Sequence, residues 1–125
     1  MAEPRVLIVE DDIALAQMYR AALRDAGFEV DLAEDGLEAL WHIDACRPGV
    51  IVLDLSLPRL RGEAVLTELA SNPEMSGIPV VVVTGAVDDP ATALPAAILH
   101  KPCDPDRLLE VIARVCTPGH GAPVV

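Results

Sequence analysis

The stretch VIVLD at Val50–Asp54 decides the fold of this chain. A run of aliphatic residues without polar alternation is typical of a strand that is buried on both faces, and such strands occur mainly in parallel sheets covered by helices. The acidic residue follows directly where the apolar run stops. Two other runs, Arg5–Val9 and Pro79–Val83, have the same character. We therefore expect all three strands at the centre of one sheet.

Segments with helical periodicity separate these strands. Apolar residues recur every three or four positions in four segments that we predict to be helices: Ile13–Ala26, Gly36–Cys46, Gly62–Leu69 and Pro105 to about Val115. Two shorter strands complete the alternation, an edge strand at Phe28–Leu32 and a last strand at Ala97–Leu99. This order predicts an α/β fold, a single doubly wound five-stranded parallel sheet with helices on both faces.

Particular residues mark the ends and the buried faces of these helices. Gly27 follows the first helix at the position where a glycine often ends one. Asp104 precedes a proline, an arrangement typical of an N-cap followed by the first helical residue. Trp41 shares its helical spacing with Leu37 and Leu40, so we expect its side chain to lie in the core or to be half-buried.

The composition is that of one ordinary domain. The chain has 125 residues, 52% of them apolar, and this fraction excludes a disordered chain. With one Trp, one Tyr and one Phe, the core has to be built from aliphatic side chains. We assign residues 1–116 to the domain. Residues 117–125, rich in glycine and proline, are expected to form a flexible C-terminal tail or the start of a linker.

The formal net charge of −11 argues against two classes of function for this domain. Nucleic-acid binding needs Lys and Arg against phosphates, and anionic membrane surfaces attract basic segments. Cys46, Cys103 and Cys116 form no CxxC pair, which is typical of free thiols in a reducing compartment. The N-terminal sequence MAEPR begins no long apolar run, and no run elsewhere could cross a membrane. We therefore expect a cytoplasmic protein.

A set of polar side chains follows the predicted strands where each strand ends. Glu10 and Asp11 follow the first strand, Asp54 the third, Thr84 the fourth, and Lys101 comes just after the fifth. The carboxyl ends of parallel strands meet at one edge of a sheet, and ligands bind there. Any one of these residues alone is more often part of a turn or a helix cap. Their joint placement predicts a functional site.

The chemistry of this set points to phosphoryl transfer. Three carboxylates a few ångströms apart repel one another by about 2–4 kcal/mol per close pair at an effective dielectric constant of ~20. A hard divalent cation such as Mg²⁺ offsets that repulsion, because it binds oxygen ligands and keeps coordination sites for phosphate oxygens. A free carboxylate can then attack phosphorus in line, while the cation, Thr84 and Lys101 hold the equatorial oxygens. His42, His100 and His120 are scattered and show no metal-ligand spacing.

Four motifs in this order resemble the receiver domain of bacterial two-component response regulators, the CheY-like family. They are VLIVEDD at Val6–Asp12, VLDLSLPRLRG at Val52–Gly62, IPVVVVTG at Ile78–Gly85 and HKP at His100–Pro102. The resemblance spans Arg5 to about Val115 and implies a flavodoxin-like fold. It also implies that a histidine kinase or phosphotransfer protein donates a phosphoryl group, that Mg²⁺ is required, and that a conformational change reaches an unidentified downstream partner or output domain. Such a domain is not an enzyme beyond self-phosphorylation and self-dephosphorylation.

The resemblance also assigns roles to individual residues. Asp54 matches the phosphoacceptor. The metal ligands would be Asp11, Asp54, the backbone carbonyl of Ser56, and Glu10 through a water molecule. Thr84 matches the switch hydroxyl, and Lys101 matches the lysine that binds the phosphoryl group and that usually precedes a cis proline. Asp12 lies one position beyond the acidic pair, so we expect it to cap the following helix.

The sequence departs from the family pattern at two places. An aromatic residue commonly lies three positions before the lysine, and Ile98 replaces it here, so the usual aromatic switch cannot operate. The segment between Thr84 and Lys101 is shorter than usual and contains Pro90 and Pro95, so we expect the fourth helix to be shortened to about a turn or lost. Together these changes alter the output face, unless the deletion is tolerated without consequence for signalling.

Two functions of other classes stay open. A phosphorylation-independent protein-interaction scaffold on the same fold would explain the altered face, but not the intact set of charged side chains. A phosphohydrolase with an aspartyl nucleophile would need a second acid two residues after Asp54, where Ser56 is a poor proton donor. The sequence does not decide whether such a domain stands alone or belongs to a longer regulator or hybrid kinase.

Overall fold

The computed structural model describes residues 5–85 and 95–116, with only the backbone for Cys116, and its elements alternate as the sequence predicts. The strands are β1 (Arg5–Val9), β2 (Glu29–Ala33), β3 (Val50–Leu53), β4 (Val80–Thr84) and β5 (Ala97–His100). The helices are α1 (Ile13–Asp25), α2 (Gly36–Cys46), α3 (Gly62–Ser71) and α4 (Pro105–Cys116). All neighbouring strands run parallel in the order β2-β1-β3-β4-β5, with β2 at an edge as expected.

Alternate residues of the central strands face opposite helical layers. Leu7 and Val9 of β1 belong to a cluster with buried residues of α2 and α3, whereas Val6 and Ile8 belong to a second cluster with residues of α1 and α4. Every residue of β3 and β4 is buried. The central strands lack polar alternation because helices cover both faces of the sheet.

The strand β2 starts one residue later than predicted, at Glu29 rather than Phe28. Gly27 adopts a φ of 101°, a left-handed conformation that glycine tolerates. The N–H of Phe28 then donates to the carbonyl of Leu23 at 3.1 Å, so Phe28 still belongs to the turn that closes α1. The other predicted boundaries agree with the structure to within two residues, the largest difference being the extension of α3 to Ser71.

The prediction that Trp41 lies in the core is wrong. Its side chain is 66% exposed, and Leu37 one turn earlier is 52% exposed. The buried face of α2 instead carries Gly36, Ala39 and Ile43. A Cβ at Gly36 would collide with the backbone of Leu60, so the helix lies close against the neighbouring loop. Helical spacing alone did not decide which face of α2 is buried. The close approach at Gly36 shows that the buried face is the one with the glycine.

The segment in which we expected a shortened or lost fourth helix lies mostly outside the described residues. Residues 86–94 are not described, and Pro95 and Ala96, which are, do not lie in a helix. The four helices of the described ranges fit the shortened helix set. The predicted tail at 117–125 also lies outside the described residues. Within residues 5–85 and 95–116, no helix has the length and apolar character needed to cross a membrane.

Candidate functional site

Three carboxylates meet at the carboxyl edge of the sheet. The strands β1 and β3 are neighbours, with Val9 opposite Leu53, so the residues that follow them are also adjacent. One oxygen atom from each of Glu10, Asp11 and Asp54 lies within 4.8 Å of the other two. Glu10 and Asp54 are each 4% exposed, whereas Asp11 is exposed. Solvent therefore reaches the cluster beside Asp11.

Lys101 brings an ammonium group to this cluster. Its Nζ lies 2.9 Å from Oε1 of Glu10 and 3.2 Å from Oδ2 of Asp54. Its backbone N–H donates to the carbonyl of Thr84 at 2.8 Å, which extends the pairing of β4 and β5 beyond the last strand residue. Lys101 is thus held at both its backbone and its head group, and it links the carboxyl end of β5 to those of β1, β3 and β4.

The charges of the site do not balance. With all groups ionised, the three carboxylates and one ammonium leave two negative charges. Burial raises the pKa of Glu10 above its ordinary value, although hydrogen bonds from Lys101 and from the N–H of Asp12 oppose that rise. Burial alone would lower the pKa of Lys101, but the hydrogen bond to Glu10 and the charge of Asp54 raise it overall. A divalent cation would offset the remaining charge, and carboxylate oxygens are the ligands that Mg²⁺ prefers.

Both oxygens of the Asp54 carboxylate are held in place. The backbone N–H of Ser56 donates to Oδ1 at 3.0 Å, and Nζ of Lys101 donates to Oδ2. The backbone N–H of Asp54 donates to the carbonyl of Val9 at 3.0 Å. Gly62 begins α3 where a Cβ would lie 2.6 Å from the Asp54 carbonyl oxygen, so a glycine is needed for this close approach. These contacts fix the direction in which the carboxylate points.

The other residues singled out in the sequence lie around this centre. Thr84 ends β4 and is fully buried, whereas Ser56 is exposed. Asp12 caps α1 as predicted, since its Oδ1 accepts a hydrogen bond from the first turn of the helix at 3.1 Å. The Lys101–Pro102 peptide bond is cis, as the resemblance implies. Ile98 in β5 is half-buried and packs on the α2 and α3 side of the sheet.

An ion pair beside the site was not predicted from the sequence. Asp35 accepts hydrogen bonds from two guanidinium nitrogens of Arg59, with Nε at 3.0 Å. Asp35 also caps α2, since it accepts from the N–H of Glu38 at 2.9 Å. Arg59 lies between β3 and α3 with a φ of 64°, so the pair ties the loop that follows Asp54 to the start of α2. The spacing of Asp35 and Glu38 is typical of an N-terminal cap, but it carries no signal for the arginine.

Comparisons with known proteins agree with this geometry. Residues 6–113 match the family model of the response regulator receiver domain. The chain belongs to this family. The receiver domain is 37% identical over 115 residues to the transcriptional regulatory protein PrrA of Mycobacterium leprae (strain TN), and the match covers 92% of this chain and 49% of PrrA. It therefore spans about half the length of the curated relatives that it matches.

Solved structures show the same fold. The chemotaxis response regulator CheY4 of Vibrio cholerae superposes on this receiver domain with a TM-score of 0.83 and 30% identity, over 90% of this chain and 98% of that chain. The Mn²⁺-bound form of the response regulator Rcp1 superposes with a TM-score of 0.80 and 25% identity, over 92% of this chain and 96% of that chain. The domain thus has the CheY-like fold of two-component systems.

In this receiver domain a buried tyrosine connects the segment after Lys101 to α1. The hydroxyl of Tyr19 donates to the carbonyl of Cys103 at 3.2 Å. Burial raises the pKa of Tyr19 to about 12, so the phenol stays a neutral donor. Burial also raises the pKa of the Cys103 thiol, with the charge of Asp104 adding to the effect. The thiolate form of Cys103 is therefore disfavoured.

Proposed function

We propose that this receiver domain accepts a phosphoryl group on Asp54 and transmits the modification as a change of conformation. The observation that best supports this role is the setting of the Asp54 carboxylate. It is buried, both of its oxygens are held, and it belongs to a cluster of three carboxylates and one ammonium group. The phosphoryl donor would be a histidine kinase or a phosphotransfer protein.

Asp54 would act as the nucleophile. One of its carboxylate oxygens forms a bond to phosphorus while the bond between phosphorus and the donor's leaving atom breaks, and the leaving atom keeps the electron pair. Nζ of Lys101 lies 3.2 Å from Oδ2, so the ammonium can pass from the carboxylate to a phosphoryl oxygen without leaving the site. The hydroxyl of Thr84, at the end of the adjacent strand, would then bind a second phosphoryl oxygen.

The carboxylates of the site would hold Mg²⁺. Asp11 and Asp54 would be direct ligands, with the backbone carbonyl of Ser56 as a third. When bound, the cation offsets the charge of the carboxylates and of the incoming phosphoryl oxygens. Glu10 is buried, and its Oε1 already contacts Nζ of Lys101 at 2.9 Å. This contact supports binding of the cation by Glu10 through a water molecule and not directly. The Mn²⁺-bound form of Rcp1 supports the binding of a divalent cation on this fold.

We further propose that the domain works in the cytoplasm with a protein partner or an output domain downstream. The name of PrrA describes a transcriptional regulator, and this chain covers 49% of it, so an output of that kind would lie outside the matched half. The net charge of −11 disfavours direct binding of nucleic acid or anionic membranes by the receiver domain itself.

We do not propose a hydrolase function. Turnover of phosphate esters would need a general acid two residues beyond Asp54, and Ser56 occupies that position with an exposed side chain. The domain would catalyse no reaction beyond its own phosphorylation and dephosphorylation. A scaffold that works without phosphorylation would give no role to the buried carboxylates of Glu10 and Asp54 or to the half-buried Lys101 that pairs with them, although burying charged groups is costly.

Labelling with a small acyl-phosphate donor and Mg²⁺ tests the assignment. We expect intact-mass spectrometry to find one added phosphoryl group on the wild-type chain and none on Asp54→Asn. Asp12→Asn is a matched control, because it makes the same change at the same edge of the sheet and asparagine still caps α1. Labelling of Asp54→Asn at the wild-type level would overturn the assignment, an unlabelled wild type would favour the scaffold, and turnover of phosphomonoesters would favour the hydrolase.

A further inference from the structure

A second group of possible metal ligands lies away from the phosphoacceptor site. His42 and Cys46 lie four residues apart on α2, and Asp31 lies on the neighbouring strand β2. One ligand atom from each of these three side chains lies within 4.8 Å of the other two. Cys46 is exposed and free, and Asp31 and His42 are half-buried. The group is therefore open to an ion from solvent.

His42 supplies independent evidence for a missing partner. Its Nδ1 is buried without a hydrogen-bond partner, and among the described residues it is the one buried side-chain nitrogen or oxygen for which this holds. A buried polar atom without a partner is rare, because its desolvation is not compensated. A metal ion bound at Nδ1 would compensate that cost.

The chemistry of these ligands differs from that of the acidic cluster. A thiolate, an imidazole and a carboxylate are ligands for Zn²⁺ and similar ions, whereas Mg²⁺ takes oxygen ligands. Bond lengths of about 2.0–2.3 Å to Zn²⁺ imply ligand atoms about 3.3–3.8 Å apart in a tetrahedron. The ligand atoms, which lie within 4.8 Å of one another, would therefore have to close to that spacing, and rotation of the exposed Cys46 side chain and the half-buried Asp31 side chain would supply the movement.

Arg5 contacts one member of this group, Asp31. Nη1 of Arg5 donates to Oδ2 of Asp31 at 2.9 Å, and a carboxylate with two oxygens can bind a cation through the other one. Asp31 lies opposite Leu7 of β1, and Glu10 comes three residues after Leu7, so Asp31 and Glu10 are about 10 Å apart along the strand direction.

We propose that Asp31, His42 and Cys46 form a second metal site, separate from the phosphoacceptor site and suited to Zn²⁺ or Co²⁺. The bound ion would connect the edge strand β2 to the end of α2, and a water molecule would complete its tetrahedron. Such a site stabilises the folded domain, because the unfolded chain does not bring the three ligands together. The spacing of the histidines in the sequence did not predict this site, because one ligand is a cysteine and another lies on a different element.

Co²⁺ titration of the full chain tests the proposal, with excess Mg²⁺ present to occupy the acidic cluster. We expect a sulfur-to-cobalt charge-transfer band and quenching of Trp41, the single tryptophan, whose ring centroid lies 5.1 Å from that of His42. Cys46→Ser should abolish the band. His42→Ala should weaken binding by at least about tenfold, because changes even to outer-shell partners of a metal cost ~10–100-fold.

Control variants identify the ligands. Cys103→Ser and Cys116→Ser should keep the band, and Asp54→Asn should keep it because that carboxylate belongs to the other site. The exposure of Cys46 makes Cys46→Ser a mild change for the fold, and a far-ultraviolet circular dichroism spectrum checks this. A wild type without the band, a band that persists in Cys46→Ser, or affinity unchanged in His42→Ala would each overturn the proposal. None of these outcomes bears on phosphorylation of Asp54.

Discussion

Lys101 is the residue on which the charge balance of the acidic cluster depends. Its ammonium contacts the buried carboxylates of Glu10 and Asp54 at the same time. In the unphosphorylated domain it offsets their repulsion. In the proposed phosphorylated state the same ammonium would bind the phosphoryl oxygens, so one side chain would act in both states.

Replacement of Lys101 by alanine should therefore separate phosphorylation from its consequence. We expect Lys101→Ala to accept phosphate slowly on Asp54 but to lose the phosphorylation-induced shifts in an amide NMR spectrum. The free energy of unfolding without Mg²⁺ should fall by about 1–3 kcal/mol in urea titrations, because two buried carboxylates lose their partner. Mg²⁺ should reduce this difference. Lys101→Arg, which keeps the charge, is the matched control. Normal shifts in Lys101→Ala would contradict the role.

Asp11 should act on stability in the opposite direction. It is the exposed member of the carboxylate cluster, and Lys101 contacts the other two. Asp11→Ala should weaken Mg²⁺ binding in calorimetric titrations, because a direct ligand is lost. Without Mg²⁺ it should raise the melting temperature, with a gain of about 0.5–1 kcal/mol from relieved repulsion at an exposed position. Asp12→Ala, one residue further, should not weaken Mg²⁺ binding. An unchanged Mg²⁺ affinity in Asp11→Ala would rule out the assignment.

At the scale of elements, the start of α2 holds the loop that follows Asp54. Asp35 caps the helix through the N–H of Glu38 and pairs with Arg59 of that loop. The absence of a side chain at Gly36 lets the loop backbone at Leu60 come close. The end of the loop next to α3 is thus fixed by its contacts with α2. The end next to β3 is fixed by the hydrogen bond that the N–H of Ser56 donates to the carboxylate of Asp54.

Asp35 should make a contribution to stability that depends on pH. The hydrogen bond from Glu38 and, against the effect of burial, the partner Arg59 hold the pKa of Asp35 below its ordinary value of 3.8. A lowered pKa in the folded state stabilises the fold above pH 3.8, and this contribution is lost as the pH falls through the lowered value. Asp35→Ala should cost about 1–2 kcal/mol at neutral pH, most of it from the lost cap.

Urea titrations at neutral and at low pH provide the measurement. Asp35→Asn is the matched control, because asparagine keeps the cap and loses only the charge. Its deficit at neutral pH should be below about 1 kcal/mol, since Arg59 is largely exposed. The deficit should shrink as the wild-type carboxylate becomes protonated. A deficit in Asp35→Asn that grows with falling pH would contradict the assignment.

At the scale of the whole molecule, a signal from phosphorylated Asp54, as proposed, would have to travel without an aromatic switch. Thr84 ends the buried strand β4 beside the site. Ile98 of β5 lies opposite Val82 of β4 and is half-buried in apolar surroundings. Ile98 has no polar group to exchange between a buried and an exposed state. We therefore expect transmission to depend on the hydroxyl of Thr84 and not on the side chain of Ile98.

Two nearly isosteric substitutions test this route. Thr84→Val removes the hydroxyl and should abolish most phosphorylation-induced amide shifts outside the loop around Asp54. Ile98→Val removes one methylene group, should cost about 0.5–1.5 kcal/mol of stability, and should leave those shifts as they are in the wild type. Phosphorylation of both variants is checked by intact mass. If Ile98→Val loses the distant shifts while Thr84→Val keeps them, the signal passes through β5 instead.

The sequence by itself determined the sheet and the edge at which the acidic cluster lies. Unbroken apolar strands such as Val50–Leu53 require cover on both faces, and alternation with helices leaves a parallel sheet as the solution. Because parallel strands end at a common edge, Glu10, Asp54 and Lys101 had to converge, however far apart they are in the chain. These conclusions follow from local pattern and topology alone.

Only the tertiary structure decided how the elements meet side by side. The exposed position of Trp41, the pairing of Asp35 with Arg59, and the grouping of Asp31, His42 and Cys46 all depend on how α2 lies against its neighbours. Periodicity gives the faces of a helix but not its rotation against a sheet or a loop. That rotation is set by close contacts between residues distant in sequence, such as the backbone of Leu60 against Gly36, which leave no periodic signal in the sequence.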